Sequence, residues 1–253
     1  MRRVFVVLIA SILSATPAFA GGVDISYGAC PGGAGASGNA GSLDCAGGGE
    51  TTLLLTWQPP QAIPDLLECE FHLQLTVGGD LYTNASFWFI QQFDNIGNSN
   101  GFDVNYNRPS LPGCSAYRNI WGAVSCHGAN IGAEVGPSPT SNEDVVILSY
   151  RCVPGSVAAE EKVFGAQFTI RAWTSDEYTG HDANRGCSLP VCLTVTHAQP
   201  RTQTGANGGA DPAPITGAAS FSNTVAINGA VAGACGAVPA RRATWGSLKQ
   251  LYR

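Results

Sequence analysis

From Leu67 to Val77 apolar and polar residues alternate without a break: Leu67, Cys69, Phe71, Leu73, Leu75 and Val77 share one parity, and Glu68, Glu70, His72, Gln74 and Thr76 the other. A period of two sends these sets to opposite faces of an extended strand, one buried and one wet, as in an antiparallel sheet covered on a single side. The run Thr51 to Trp57, closed by Pro59-Pro60, reads as a strand, and so do Leu81 to Gln91 with its Phe87-Trp88-Phe89 core, Val145 to Val153 and Ala219 to Ile227. Phe164, Ala166, Phe168, Ile170 and Ala172 are expected to point inward, opposite Gln167, Thr169, Arg171 and Trp173, and Val191 to His197 alternates likewise.

Turn chemistry separates these runs. Gly78-Gly79-Asp80 supplies a turn, Asn95 to Asn107 a polar loop, and Arg108 to Asn142 a long connection rich in Pro, Gly and Ser. Residues 21–50 are dominated by Gly, Ala and Ser around two cysteines and read as a loop region held by a disulfide rather than as packed structure. Without a helical period or an internal repeat, the pattern predicts an all-β, loop-rich antiparallel β-sandwich over residues 51–200. A loop or linker at 201–218 and a final strand with a Gly/Ala-rich connector at 219–240 follow it. Residues 241–253 form a basic, amphipathic tail in which Thr244 is placed to cap a short helix.

The first twenty residues carry Arg2 and Arg3, an apolar run from Val4 to Leu13 and small residues at Ala18 and Ala20, the layout of a secretory signal peptide cut before Gly21. The run is too short for a permanent membrane span, and no transmembrane helix is expected in the mature chain. Cleavage leaves 11 basic residues of the original 13 against 18 acidic ones and moves the formal charge from −5 to −7, which argues against nucleic acid as a partner. The expected location is outside the cell or on its surface.

Export makes the nine cysteines a stapling framework rather than a zinc site, because no short C-x2-4-C pair is matched by a second one. Loop-closure entropy favours neighbours, so the expected bridges are Cys30 with Cys45, Cys114 with Cys126 and Cys187 with Cys192, and Cys69 with Cys152 completes the set across two strand-like runs. Cys235 is then the odd thiol.

No catalytic residue is assigned. Cys126-His127 sets a thiol beside an imidazole, but adjacency in sequence is not the spatial pairing that a thiolate–imidazole couple requires. No nucleophile elbow accompanies His181-Asp182, and the sparse acids, Glu68, Glu70, Asp80, Asp94, Asp103, Asp176 and Glu177, form no linear motif for glycoside hydrolysis. Calcium is the one cofactor considered, through Asp94 and Asp103, although the intervening segment misses the register of a calcium loop. The four histidines show no i, i+4 or H-x-H spacing, which counts against a transition metal. Trp173 falls on the polar parity of its strand and, with Trp88 and Tyr82, and with Trp57 and Trp121 as further members, is the candidate platform for stacking on sugar rings or partner side chains.

The segment T-W-G-S-L-K-Q-L-Y-R from Thr244 to Arg253, with C-S-L-P-V-C at Cys187 to Cys192 and Q-P-P-Q-A-I-P at Gln58 to Pro64, resembles a group of uncharacterised secreted bacterial proteins that end in T-W-G-x-x-K-x-x-Y-R. The resemblance implies export and a β-rich ectodomain, and it transfers no catalytic residue. In the tail, Trp245, Leu248 and Tyr252 make an apolar stripe and Arg241, Arg242, Lys249 and Arg253 a charge anchor, fit for recognition by an export or anchoring apparatus. Taken together, the expectation is an exported, non-enzymatic structural or binding protein whose partner is a carbohydrate or a cell-surface protein. An extracellular carbohydrate-binding module or a glycoside hydrolase is the alternative.

Overall fold

The computed structural model describes residues 21–32, 39–77, 102–105, 109–120, 129–135, 143–172 and 186–230, with the backbone alone at 102–104, 129–135 and 143–154. Its elements in chain order are β1 (Gly22–Tyr27), β2 (Ala40–Gly41), β3 (Glu50–Gln58), β4 (Ile63–Val77), β5 (Phe102–Asn105), β6 (Ala129–Val135), β7 (Glu143–Val157), β8 (Val163–Arg171), β9 (Val191–Thr202), the one-turn helix α1 (Gln203–Ala206), β10 (Ile215–Thr216) and β11 (Thr224–Ile227). They build two sheets, one ordered β1-β3-β8-β5 and the other β2-β11-β9-β4-β7-β6 with β10 also on β9. Every pair is antiparallel except the short β2–β11 contact. No helix among the described residues is long and apolar enough to cross a membrane.

The inner faces of the sheets close on one core. Val23, Ile25, Leu53, Leu55, Ala166 and Ile170 from the first sheet meet Phe71, Leu73, Leu75, Val195, Val225 and Ile227 from the second, all at most 1 % exposed. Trp57 bridges the layers edge-on to Phe71, centroids 6.5 Å apart at 69°, in the arrangement that the ring quadrupoles favour. The all-β sandwich expected from the alternation is present, and β4 keeps its parity from Leu67 to Val77 with every second residue buried.

Parity fails where the strands bulge. Leu55 pairs with Ala166 but Thr56 with Phe164, so Gly165 is an extra residue and Phe164 leaves the face that Ala166 occupies. Instead of pointing inward as expected, Phe164 joins Leu54, Tyr117 and the Cys30–Cys114 bridge in a second core on the outer face of the first sheet. The 109–118 segment lies over that face, with a 3-10 turn at Cys114–Ala116 and a backbone hydrogen bond from Cys30 N–H to the Pro112 carbonyl. With both faces covered, β3 is buried almost throughout.

Other expectations are corrected. Residues 22–27, read as loop, form the buried strand β1, where Val23 and Ile25 enter the core and the even positions face away. Residues 102–105 pair with β8 and residues 129–135 with β7 where loop was expected. The 201–218 segment carries the end of β9, α1 and β10. The last strand starts at Thr224 rather than Ala219, because the backbone N–H groups of Ala219, Ser220 and Phe221 donate to the carboxylate of Asp24 instead of to a ladder. That carboxylate is only 1 % exposed and also accepts from the Ser220 hydroxyl at 3.0 Å, so Asp24 pins the 219–221 segment against β1.

None of the four expected bridges forms. Cys30 bonds Cys114 and Cys45 bonds Cys187, with Cα atoms 4.9 and 5.9 Å apart. Cys114 is thereby unavailable to Cys126, and Cys187 to Cys192, which is itself disulfide-bonded. Cys69 is a free, fully buried thiol, and its cross-strand neighbour on β7 is Tyr150, not Cys152. Closing a short loop is entropically cheap, but a bridge forms only where the sheets carry two Cα atoms to within about 7 Å, and topology takes each sequence neighbour elsewhere. Cys45 lies where the chain crosses from β2 in the second sheet to β3 in the first, and Cys187 holds that crossing to the approach of β9.

Candidate functional site

The outer face of the second sheet is polar. On β4 the alternation turns Glu68, Glu70, His72, Gln74 and Thr76 outward, and β9 runs beside it with Arg201 across from Glu68, Gln199 from Glu70, His197 from His72 and Thr194 from Gln74. Unbroken alternation from Val191 through Leu193 and Val195 would bury His197. A register shift opposite His72–Leu73 inserts Thr196 as an extra residue, so Thr196 and His197 both stay outside while Val195 and Ala198 both face the core.

The bulge brings two imidazoles together. His72 and His197 stack with ring centroids 4.0 Å apart and planes 19° from parallel. The Thr196 hydroxyl donates to the His72 carbonyl oxygen at 3.1 Å and lies 3.1 Å from His197 Nδ1. A hydroxyl has one proton, so toward the ring it can only accept: Nδ1 carries the hydrogen and Nε2 the in-plane lone pair. Burial and the neighbouring His72 push the His197 imidazolium toward deprotonation, against the smaller pull of Glu70.

An ion-pair chain continues from this stack. Glu70 Oε2 is 3.7 Å from His72 Nε2, and its two oxygens accept from Arg201 Nε at 3.3 Å and Nη2 at 3.2 Å. Arg201 Nη1 reaches Asp211 at 3.2 Å, and the other Asp211 oxygen accepts from the Thr202 N–H and hydroxyl. Burial raises the Asp211 carboxyl, but the Thr202 N–H, the Arg201 guanidinium and the Thr202 hydroxyl outweigh it and hold the group below its ordinary range. Asp65 on β4 accepts from the N–H and hydroxyl of Thr204, which fixes α1 to the same end of the sheet. Glu70 and Asp211 thus share Arg201, and the chain of contacts ties β4, β9 and the 211 region together.

The residues singled out from the sequence fare unevenly. Trp57 is fully buried between the sheets and belongs to no exposed platform. Asp103 lies on β5, where its backbone pairs with Thr169. Trp173, Trp88, Tyr82, Trp121, Asp94, Cys126, Cys235, residues 1–20 and the tail with Trp245, Leu248, Lys249, Tyr252 and Arg253 lie outside the described residues, as does the 81–91 strand. The His72–His197 pair is brought together by cross-strand register, which no spacing rule reads, and its one trace in the sequence is that each histidine sits within an alternating run. Among the described residues no group of three or more His, Cys, Asp or Glu is arranged to hold a metal ion. Comparison with known proteins finds neither a protein family nor a curated protein that matches the chain.

Proposed function

We propose that the chain is an exported, non-enzymatic β-sandwich that acts on or outside the cell as a structural or binding protein, with a carbohydrate or a surface protein as its partner. The observation that carries this reading is the contrast between the two outer faces. The first sheet is covered around Leu54 and Phe164 by the 109–118 segment and the Cys30–Cys114 bridge, whereas the second presents a band of neutral hydrogen-bonding and paired charged side chains that reaches solvent. Gln74 and Thr194, directly opposite each other, typify it. Neutral amides and hydroxyls on a rigid sheet suit hydroxyl-rich or peptide partners. Two bridges that tie distant parts of the chain fit an oxidising compartment, in keeping with removal of residues 1–20 on export, and the 244–253 tail serves attachment or sorting.

The test is binding of the oxidised chain from residue 21 to a glycan array and to surface proteins of the producing cell, beside Gln74→Ala/Thr194→Ala and Trp173→Ala variants. Saturable binding that either variant weakens supports the reading. Turnover of an oligosaccharide, or no binding to either class, overturns it.

A further inference from the structure

We propose that His72 and His197 form a chelating pair for a divalent transition-metal ion of borderline softness, Cu(II), Ni(II) or Zn(II), on the outer face of the second sheet. Three features of the geometry carry it. The residues are direct cross-strand partners on β4 and β9, two central strands whose backbones are fixed by ladders on both sides, so the distance between the rings does not depend on a loop. The rings lie 4.0 Å apart and within 19° of parallel, so modest rotation about the side-chain bonds directs a nitrogen of each to one ion at about 2.0–2.1 Å. Thr196, present on that face only because of the bulge, takes the Nδ1 hydrogen of His197 and leaves the Nε2 lone pair for a ligand, the supporting contact that metal-binding histidines ordinarily have.

Glu70, with Oε2 at 3.7 Å from His72 Nε2, supplies a nearby negative charge, and Arg201 holds that carboxylate in place. Because the described residues offer no third donor already in position, water completes the coordination shell, and affinity follows the general order in which Cu(II) exceeds Ni(II) and Zn(II). The proposal is independent of the sheet-face binding function above, since a chain that binds no glycan could still hold the ion.

The experiment is titration of the oxidised chain from residue 21 with Cu(II), followed by calorimetry and by electron paramagnetic resonance, which counts coordinated nitrogens. The expected result is a saturable site with two equivalent imidazole nitrogens that survives His127→Gln/His181→Gln. It is lost in His72→Gln and in His197→Gln, and is weakened about tenfold in Thr196→Val. An unchanged spectrum and affinity in the double variant His72→Gln/His197→Gln, or coordination by a single nitrogen, overturns the proposal. Should those variants fail to fold, Ni(II) protection of the unaltered protein from a histidine-acylating reagent decides the matter: both the His72 and His197 peptides are expected to be shielded, and acylation of both at the metal-free rate contradicts the site.

Discussion

Two single residues, Gly165 and Thr196, decide where aromatic and imidazole side chains point. Gly165 is the extra residue that turns Phe164 outward, and a Cβ there would lie 3.1 Å from the Leu55 carbonyl oxygen and 3.1 Å from Phe71 Cζ, closer than side chains normally approach. Neither neighbour can yield easily, one being backbone and the other a core ring. Gly165→Ala is therefore expected to destabilise the fold by about 1–3 kcal/mol, measured by denaturant midpoint at unchanged slope, while an unchanged midpoint would show that the bulge relaxes freely. His197 carries a pH signature. Burial, and next His72, lower its pKa from the ordinary value of 6.5, so the unfolded chain binds more protons just below that value. Among the described side chains, His72, Glu70 and, further along, Glu68, Arg201 and Asp211 are the titratable or charged groups on this part of the face. The strand neighbours of the pair, Thr216 on β10 and Ile147 on β7, carry no charge. Stability should rise with pH from the lowered value up to about 6.5, and His197→Gln should flatten that part of the curve. A slope of the opposite sign would contradict the part-buried, stacked placement of His197.

At the scale of elements, what could be read from the sequence was alternation that runs uninterrupted. Leu67 to Val77 was legible because all its residues obey one parity over a single covered face, whereas β3 was legible as an apolar run closed by Pro59-Pro60. Parity is a relative signal, and one inserted residue reverses everything after it, so Phe164, expected inward, points outward, and His197 leaves the parity of Val191, Leu193 and Val195. Glycine content masked β1, whose Val23 and Ile25 already alternate with Asp24 and Ser26. The bridges were misread because loop-closure entropy concerns the unfolded chain, whereas the partner of each cysteine is chosen by the folded sheets. That same entropy sets the expected cost of removing one. With partners 84 and 142 positions apart in sequence, loss of either bridge should cost about 4–5 kcal/mol and lower the melting temperature by roughly 10–20 °C. Cys45→Ala/Cys187→Ala melting within a few degrees of the parent would refute that.

For the whole molecule, two sheets of unequal width share one core, and their outer faces differ. One is covered around Leu54 and Phe164 by a covalently anchored segment, and the other is left polar with ion pairs along it and two imidazoles stacked at its centre. The covered patch accounts for Cys30 and Cys114, the crossing between sheets for Cys45 and Cys187, and the interior for the free thiol of Cys69, whose pKa burial, and then Glu70 and Glu68, push well above the ordinary thiol range. This oxidised, bridged sandwich underlies the proposed life outside the cell. Its most direct test is peptide mapping by mass spectrometry of the protein recovered from its producing cell, alkylated without reduction before and after denaturation. The account predicts a chain beginning at Gly21, bridged peptides joining Cys30 to Cys114 and Cys45 to Cys187, and a Cys69 that is alkylated only once the fold is opened. An intact Met1 terminus with Cys30, Cys45, Cys114 and Cys187 all alkylated as free thiols would contradict it.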